Sequence, residues 1–174
     1  MNKHELSDQI CQYHYAFIDY VNSLSDEEFE KSVSEKWTAG QQVEHILISV
    51  KPITQAFLMP NVLLKMVIGT SNREGRSYDE LVSKYNLKLE EGGKASSNFV
   101  PKKVFLKQKS ELLKSLKKVV FTLSEQINDF SEEELDTLLL PHPLLGKLTL
   151  REMMYFTIHH VQHHHKKTIE NLGK

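Results

Sequence analysis

The 174-residue chain carries 22 Lys plus Arg against 23 Asp plus Glu, for a formal net charge of -1, so nothing in its charge pulls it toward nucleic acid or an anionic membrane. Its length suits one domain, residues 1–174, with a sizeable core, and its 40% hydrophobic content is that of a soluble globular protein. The single cysteine, Cys11, excludes an internal disulfide, and with no signal-peptide pattern or apolar run of about 18 residues the expected location is cytoplasmic, with no membrane partner.

From the N-terminus, Ile10, Tyr13, Phe17, Tyr20, Val21 and Leu24 recur at intervals of three and four, which predicts a first long helix over Lys3–Leu24. His4 and His14 lie on it and are expected to be solvated. Ser25 caps a short acidic turn, DEEFEK. Thr38 with Gln41 is a capping box, in which each side chain satisfies a backbone N–H left unpaired by the first helical turn. The second long helix follows to about Met59, with Pro52 inside it and an apolar stripe of Val43, Ile46, Val50, Ile53 and Phe57. His45 falls in a row of small or polar residues beside that stripe, and Trp37 is expected to plug the end of the core.

Residues 61–104 change character: a short apolar segment, the run GTSNREGRS, a helix from Tyr78 to about Leu89, and the loop GGKASSN. This reads as a long helical crossover between the second and third long helices, either surface wrapping, which is favoured, or a cover over one end of the fold. The third long helix is expected over Phe105–Phe130. Its lysines at 107, 109, 114, 117 and 118 lack the interleaved aromatics of a nucleic-acid platform and read as a solvated face. Ser131–Leu140 reads as an acidic turn or short helix. PHPLLGK, 141–147, reads as a turn, with His142 either an exposed loop residue, which is favoured, or part of a pocket mouth.

The last long helix is announced by the capping box of Thr149 and Glu152 and stopped by Gly173. Five of the nine histidines fall within it, between His159 and His165. At about 100° per residue, His160 and His164 lie on the buried stripe with Leu150, Met153, Thr157, Val161 and Thr168, while His159, His163 and His165 turn toward its edges or solvent. Two imidazoles one turn apart on one face can bind the same divalent ion. The same spacing also arises in a polar patch or in two packed core histidines. His45 could supply a third ligand, since divalent sites that do chemistry commonly use three protein groups and leave a further position open. Four long amphipathic helices without a strand pattern of consequence predict an all-α, four-helix up-and-down bundle.

KWTAGQQVEH, 36–45, together with HPLLGKLTLREMMYFTIHHVQHH, 142–164, resembles the DinB/YfiT-like superfamily, a group regarded as metalloenzymes and built on a four-helix bundle. The family pattern has a Trp and a Ser or Thr opening the second helix, a His about seven residues later, and an HxxxH pair late in the fourth. Those positions here are Trp37, Thr38, His45, His160 and His164. The pair could also map onto His159 and His163, but only His160 and His164 fall in the middle of the stripe. The resemblance implies a divalent ion, commonly zinc or nickel, on His45, His160 and His164, and a small-molecule substrate, in some members with a low-molecular-weight thiol.

An ion held by three neutral imidazoles keeps its full charge and lowers the pKa of bound water from about 15.7 toward roughly 7. The expected function is therefore a metal-dependent enzyme of the hydrolase or thiol-dependent S-transferase type, with His163 as a candidate proton carrier. The alternatives are a non-catalytic metal-binding bundle, which would have no open cavity at its ion, and an interaction module whose histidines only pack. Ligand imidazoles need a partner on their other nitrogen, for which Gln41, Gln42 or a backbone carbonyl are candidates. A homodimer is also expected.

Overall fold

A computed structural model describes residues 1–34 and 36–174 of the chain. Its elements in order are α1 (Lys3–Ser23), α2 (Asp26–Glu30), α3 (Ala39–Phe57), α4 (Asn61–Ile68), α5 (Tyr78–Glu90), α6 (Lys109–Ile127), α7 (Glu132–Thr137), β1 (Leu139–His142), β2 (Gly146–Thr149) and α8 (Leu150–Leu172). The molecule is thus mostly helical. Local chemistry sets many of the boundaries: capping boxes start α1 at Asn2, α2 at Ser25, α3 at Thr38, α5 at Ser77, α7 at Ser131 and α8 at Thr149. Gly173 ends α8 with φ of 76°, a left-handed conformation that glycine adopts without steric cost.

The long helices α1, α3, α6 and α8 pack around one core that includes Leu6, Ile10, Phe17, Val43, Ile46, Leu116, Leu123 and Val161. Side-chain hydrogen bonds fix their directions. Lys3 Nζ reaches the Asn128 carbonyl and Lys109 Nζ the Leu24 carbonyl, so α1 and α6 are antiparallel. Asn171 Nδ2 donates to the Trp37 carbonyl at 3.2 Å, which sets the end of α8 beside the start of α3. Phe57, the last residue of α3, and Phe130, just past the end of α6, meet at 5.0 Å, while Gly40 and Val104 are neighbours near the N-terminal ends of the two helices. Hence α3 and α6 run in the same direction. The expected up-and-down order does not hold for this pair, because the intervening crossover carries the chain back along the molecule before α6 begins.

That crossover is anchored to α7 and α8. Ser71 N–H donates to the Thr137 carbonyl at 2.7 Å, Arg73 makes a bidentate pair with Glu152, and the Arg76 backbone and side chain add further bonds to the same carboxylate. Helix α5 lies along α8, with the rings of Tyr78 and Tyr155 packed edge to face and Tyr85 likewise against Phe156.

Two local expectations are corrected. Leu139–His142 and Gly146–Thr149 form an antiparallel hairpin, with Leu140 opposite Leu148 and His142 opposite Gly146. Strands of four residues are too short for alternation to show in sequence. His14 is fully buried rather than solvated, its Nδ1 2.7 Å from the Ile10 carbonyl. Burial pushes its pKa down to about 4, because α1 is covered by both α6 and α8 and has less solvent-facing surface than one amphipathic stripe implies.

Candidate metal centre

His45 sits on the second turn of α3, and His160 and His164 one turn apart on α8. Because α3 and α8 are antiparallel, a histidine near the start of one meets a pair around the middle of the other. His45 Nε2 and His160 Nε2 are 3.1 Å apart, and His164 Nε2 and His160 Nε2 are also 3.1 Å apart. All three residues are buried, and their ligand atoms lie within 4.8 Å of one another.

The tautomers follow from what the outer nitrogens face. His45 Nδ1 lies 2.7 Å from the Phe99 carbonyl oxygen, which can only accept, so Nδ1 carries the proton and Nε2 presents a lone pair. His164 Nδ1 lies 2.5 Å from Gln42 Oε1 and is fixed the same way. Two inward lone pairs thus flank His160 Nε2, which has at most one proton to share between them. A positive ion resolves this crowding. An ion bound tetrahedrally at about 2.0–2.1 Å separates its nitrogen ligands by roughly 3.3 Å, close to the two 3.1 Å spacings found here.

A proton is a poor substitute for that ion. Burial is the largest cause lowering the pKa of all three rings, and for His160 and His164 the neighbouring histidines lower it further. Neutral imidazole is the form that binds metal. No carboxylate or thiol joins the three-histidine group among the described residues, so an ion there would keep its whole charge.

Aromatic rings hold the cluster in shape. Trp37 stacks over His164 with centroids 6.2 Å apart and lies 5.0 Å from His45, so its role goes beyond plugging the core end. On the other side Phe156 stacks on His160 at 4.7 Å. The three histidines line a cavity of about 650 Å³ whose wall also includes Ile53, Leu89, Leu144, Met153 and Phe99. The crossover therefore builds part of the cavity wall, which favours the cover over simple surface wrapping.

The remaining histidines divide by position. His163 lies half-buried on the cavity wall with its ring 5.2 Å from that of His164, and its pKa is pushed down to about 4, first by burial and then by Lys167. His159 packs against Tyr85. His165 turns to the opposite side and packs against Phe17 and Tyr20 rather than facing solvent. His142 is not an exposed loop residue: it lines the cavity and packs edge-on against Phe156 at 4.2 Å. Its burial pushes the ring's pKa down to about 4.

Of the partners expected for the outer nitrogens, Gln42 and a backbone carbonyl serve, while Gln41 is used in the α3 cap. Tyr85 was not picked out from sequence. It is buried on the cavity wall with its pKa pushed up to about 12, and its helical spacing looks like that of any core aromatic. The Phe99 carbonyl carried no sequence signal, since every residue has one.

The model of the DinB superfamily matches residues 13–167, and the chain belongs to that superfamily. No curated protein and no solved structure gives a significant match. Among the described residues no helix is long and apolar enough to cross a membrane.

Proposed function

We propose that this member of the DinB superfamily is a metal-dependent enzyme of the hydrolase or thiol-dependent S-transferase type, a single domain whose four long helices form a bundle around the site. In this reading His45, His160 and His164 hold a divalent ion, zinc or nickel. The observation that carries it is the convergence of three Nε2 atoms on the wall of a 650 Å³ cavity. A purely structural or storage site would close all positions around its ion. Among the described residues the ligand set stops at three and adjoins space large enough for a small molecule.

A divalent ion held by these three histidines would acidify a water or thiol and so supply a nucleophile near neutral pH. The residues of the chain do the rest. Gln42 and the Phe99 carbonyl keep the Nε2 lone pairs of His164 and His45 turned inward. The apolar wall excludes water from the reacting face and takes the hydrophobic part of the substrate. His163 borders the cavity with its ring 5.2 Å from that of His164 and is not one of the three convergent histidines, and its role is to carry the released proton outward.

The test is metal analysis of untagged protein beside His45→Ala and His164→Ala. One equivalent of ion in the wild type and none in either variant is expected. A wild type purified from metal-supplemented medium without a stoichiometric ion would sink the proposal. An esterase and thiol-transfer screen on the loaded protein then separates the two reaction types.

A further inference from the structure

We propose that His142 positions the substrate: its Nε2–H is a fixed hydrogen-bond donor for the carbonyl oxygen of a compound whose apolar body fills the cavity. The inference rests on this cavity being the substrate site of the metalloenzyme reading.

The proton on His142 is located by its neighbours. Nδ1 lies 3.1 Å from the backbone N–H of Leu144 and 3.1 Å from that of Leu145, and both can only donate. Nδ1 is therefore the unprotonated nitrogen, and a neutral ring must carry its hydrogen on Nε2. The two amide bonds and the edge-on contact with Phe156 at 4.2 Å hold the ring in one orientation. Among the described residues Nε2 has no protein acceptor. The ring nevertheless lines the cavity beside Pro141, Leu144 and Phe156.

A donor set into an otherwise apolar wall selects what binds. A ligand that brings no acceptor strips water from the Nε2–H and leaves it unpaired, whereas a carbonyl oxygen replaces that water. Phe156 packs against His142 at 4.2 Å and stacks on His160 at 4.7 Å, and all three rings line the cavity. The donor is thus one ring away from the histidine cluster, and a small carbonyl compound can contact the donor while its reacting end reaches the cluster. Ester, thioester and ketone carbonyls all present the same acceptor.

The probe is 4-phenyl-2-butanone, and binding is read from the fluorescence of Trp37, the sole tryptophan, which borders the cavity. His142→Asn retains an oxygen able to accept the turn's amide bonds but is too short to reach the cavity; His142→Phe removes the turn bonds as well. Wild-type binding about tenfold tighter than that of His142→Asn, with unchanged metal content, is expected. The tautomer is read separately by long-range ¹H–¹⁵N spectra, in which His142 should give the Nε2–H pattern with or without metal.

An Nδ1–H pattern, equal binding by wild type and His142→Asn, or no binding by wild type would each overturn the proposal. Titrations are repeated on chelator-treated protein. A His142 effect that persists there supports the donor assignment without an ion, and only a wild type found metal-free as purified from metal-supplemented medium removes the metalloenzyme reading while that assignment stands.

Discussion

Gln42 Oε1 and His164 Nδ1 meet at 2.5 Å across the interface of α3 and α8, joining the two helices that contribute the histidine cluster. Gln42 thereby sets the direction of a lone pair on a helix it does not belong to. It is also buried, so no water stands ready to replace it. Its loss acts on the cluster without removing a ligand.

Replacing Gln42 with Leu should therefore weaken metal affinity by about 10- to 100-fold, the usual effect of removing a ligand histidine's outer partner. Competition against a chelator of known affinity measures this. An affinity equal to wild type would mean that His164 is oriented by packing against Trp37 alone.

His163→Gln separates proton carriage from metal holding. The variant should keep its full equivalent of ion, because His163 is not among the three convergent residues. Turnover of whatever substrate the screen identifies should fall by about 100-fold, the lower range for losing a general acid or base. Unchanged turnover with unchanged metal content assigns the proton to another path.

His14 makes stability depend on pH. Its pKa is lowered to about 4 in the folded chain by burial, against the ordinary value of 6.5. The unfolded chain takes up a proton that the folded chain refuses, so this contribution to stability is complete above pH 6.5, declines as pH falls, and is lost by about pH 4. At about 1.4 kcal/mol per pH unit, the total is roughly 3 kcal/mol. Urea unfolding of wild type and His14→Leu at pH 7, 5.5 and 4.5 should give a shallower decline in the variant. Parallel declines would refute the assignment.

Glu152 ties residues 73–76 to the start of α8 while its own side chain is 1% exposed. Burial pushes its pKa up, but the Arg73 side chain, the backbone N–H groups of Arg76 and Thr149 and the charge of Arg73 outweigh it, holding the carboxylate below its ordinary value. Glu152→Gln keeps the volume and removes the charge beneath two guanidinium groups, which at 34% and 28% exposure remain open to water, so the cost should be about 2 kcal/mol. Because both arginines are trypsin sites, the variant should also be nicked at 73 or 76 well before wild type. Equal digestion rates would show that the anchor lies elsewhere in the crossover.

Much of this protein is determined within three or four residues at a time, and that part is legible in the sequence. Thr38 with Gln41 and Thr149 with Glu152 specify helix starts because each box closes its hydrogen bonds inside one turn. The 3.6-residue period alone turns His160 and His164 inward and His159, His163 and His165 aside. Tertiary structure decided the rest, for reasons of distance along the chain. Whether His45 meets His160 depends on α3 and α8 being antiparallel, and helix direction leaves no mark on local spacing. The Phe99 carbonyl holds His45 because the crossover returns across the cavity, and a backbone oxygen has no side-chain identity to read. His142 became part of the wall only when a hairpin of two four-residue strands set the end of β1 against Phe156.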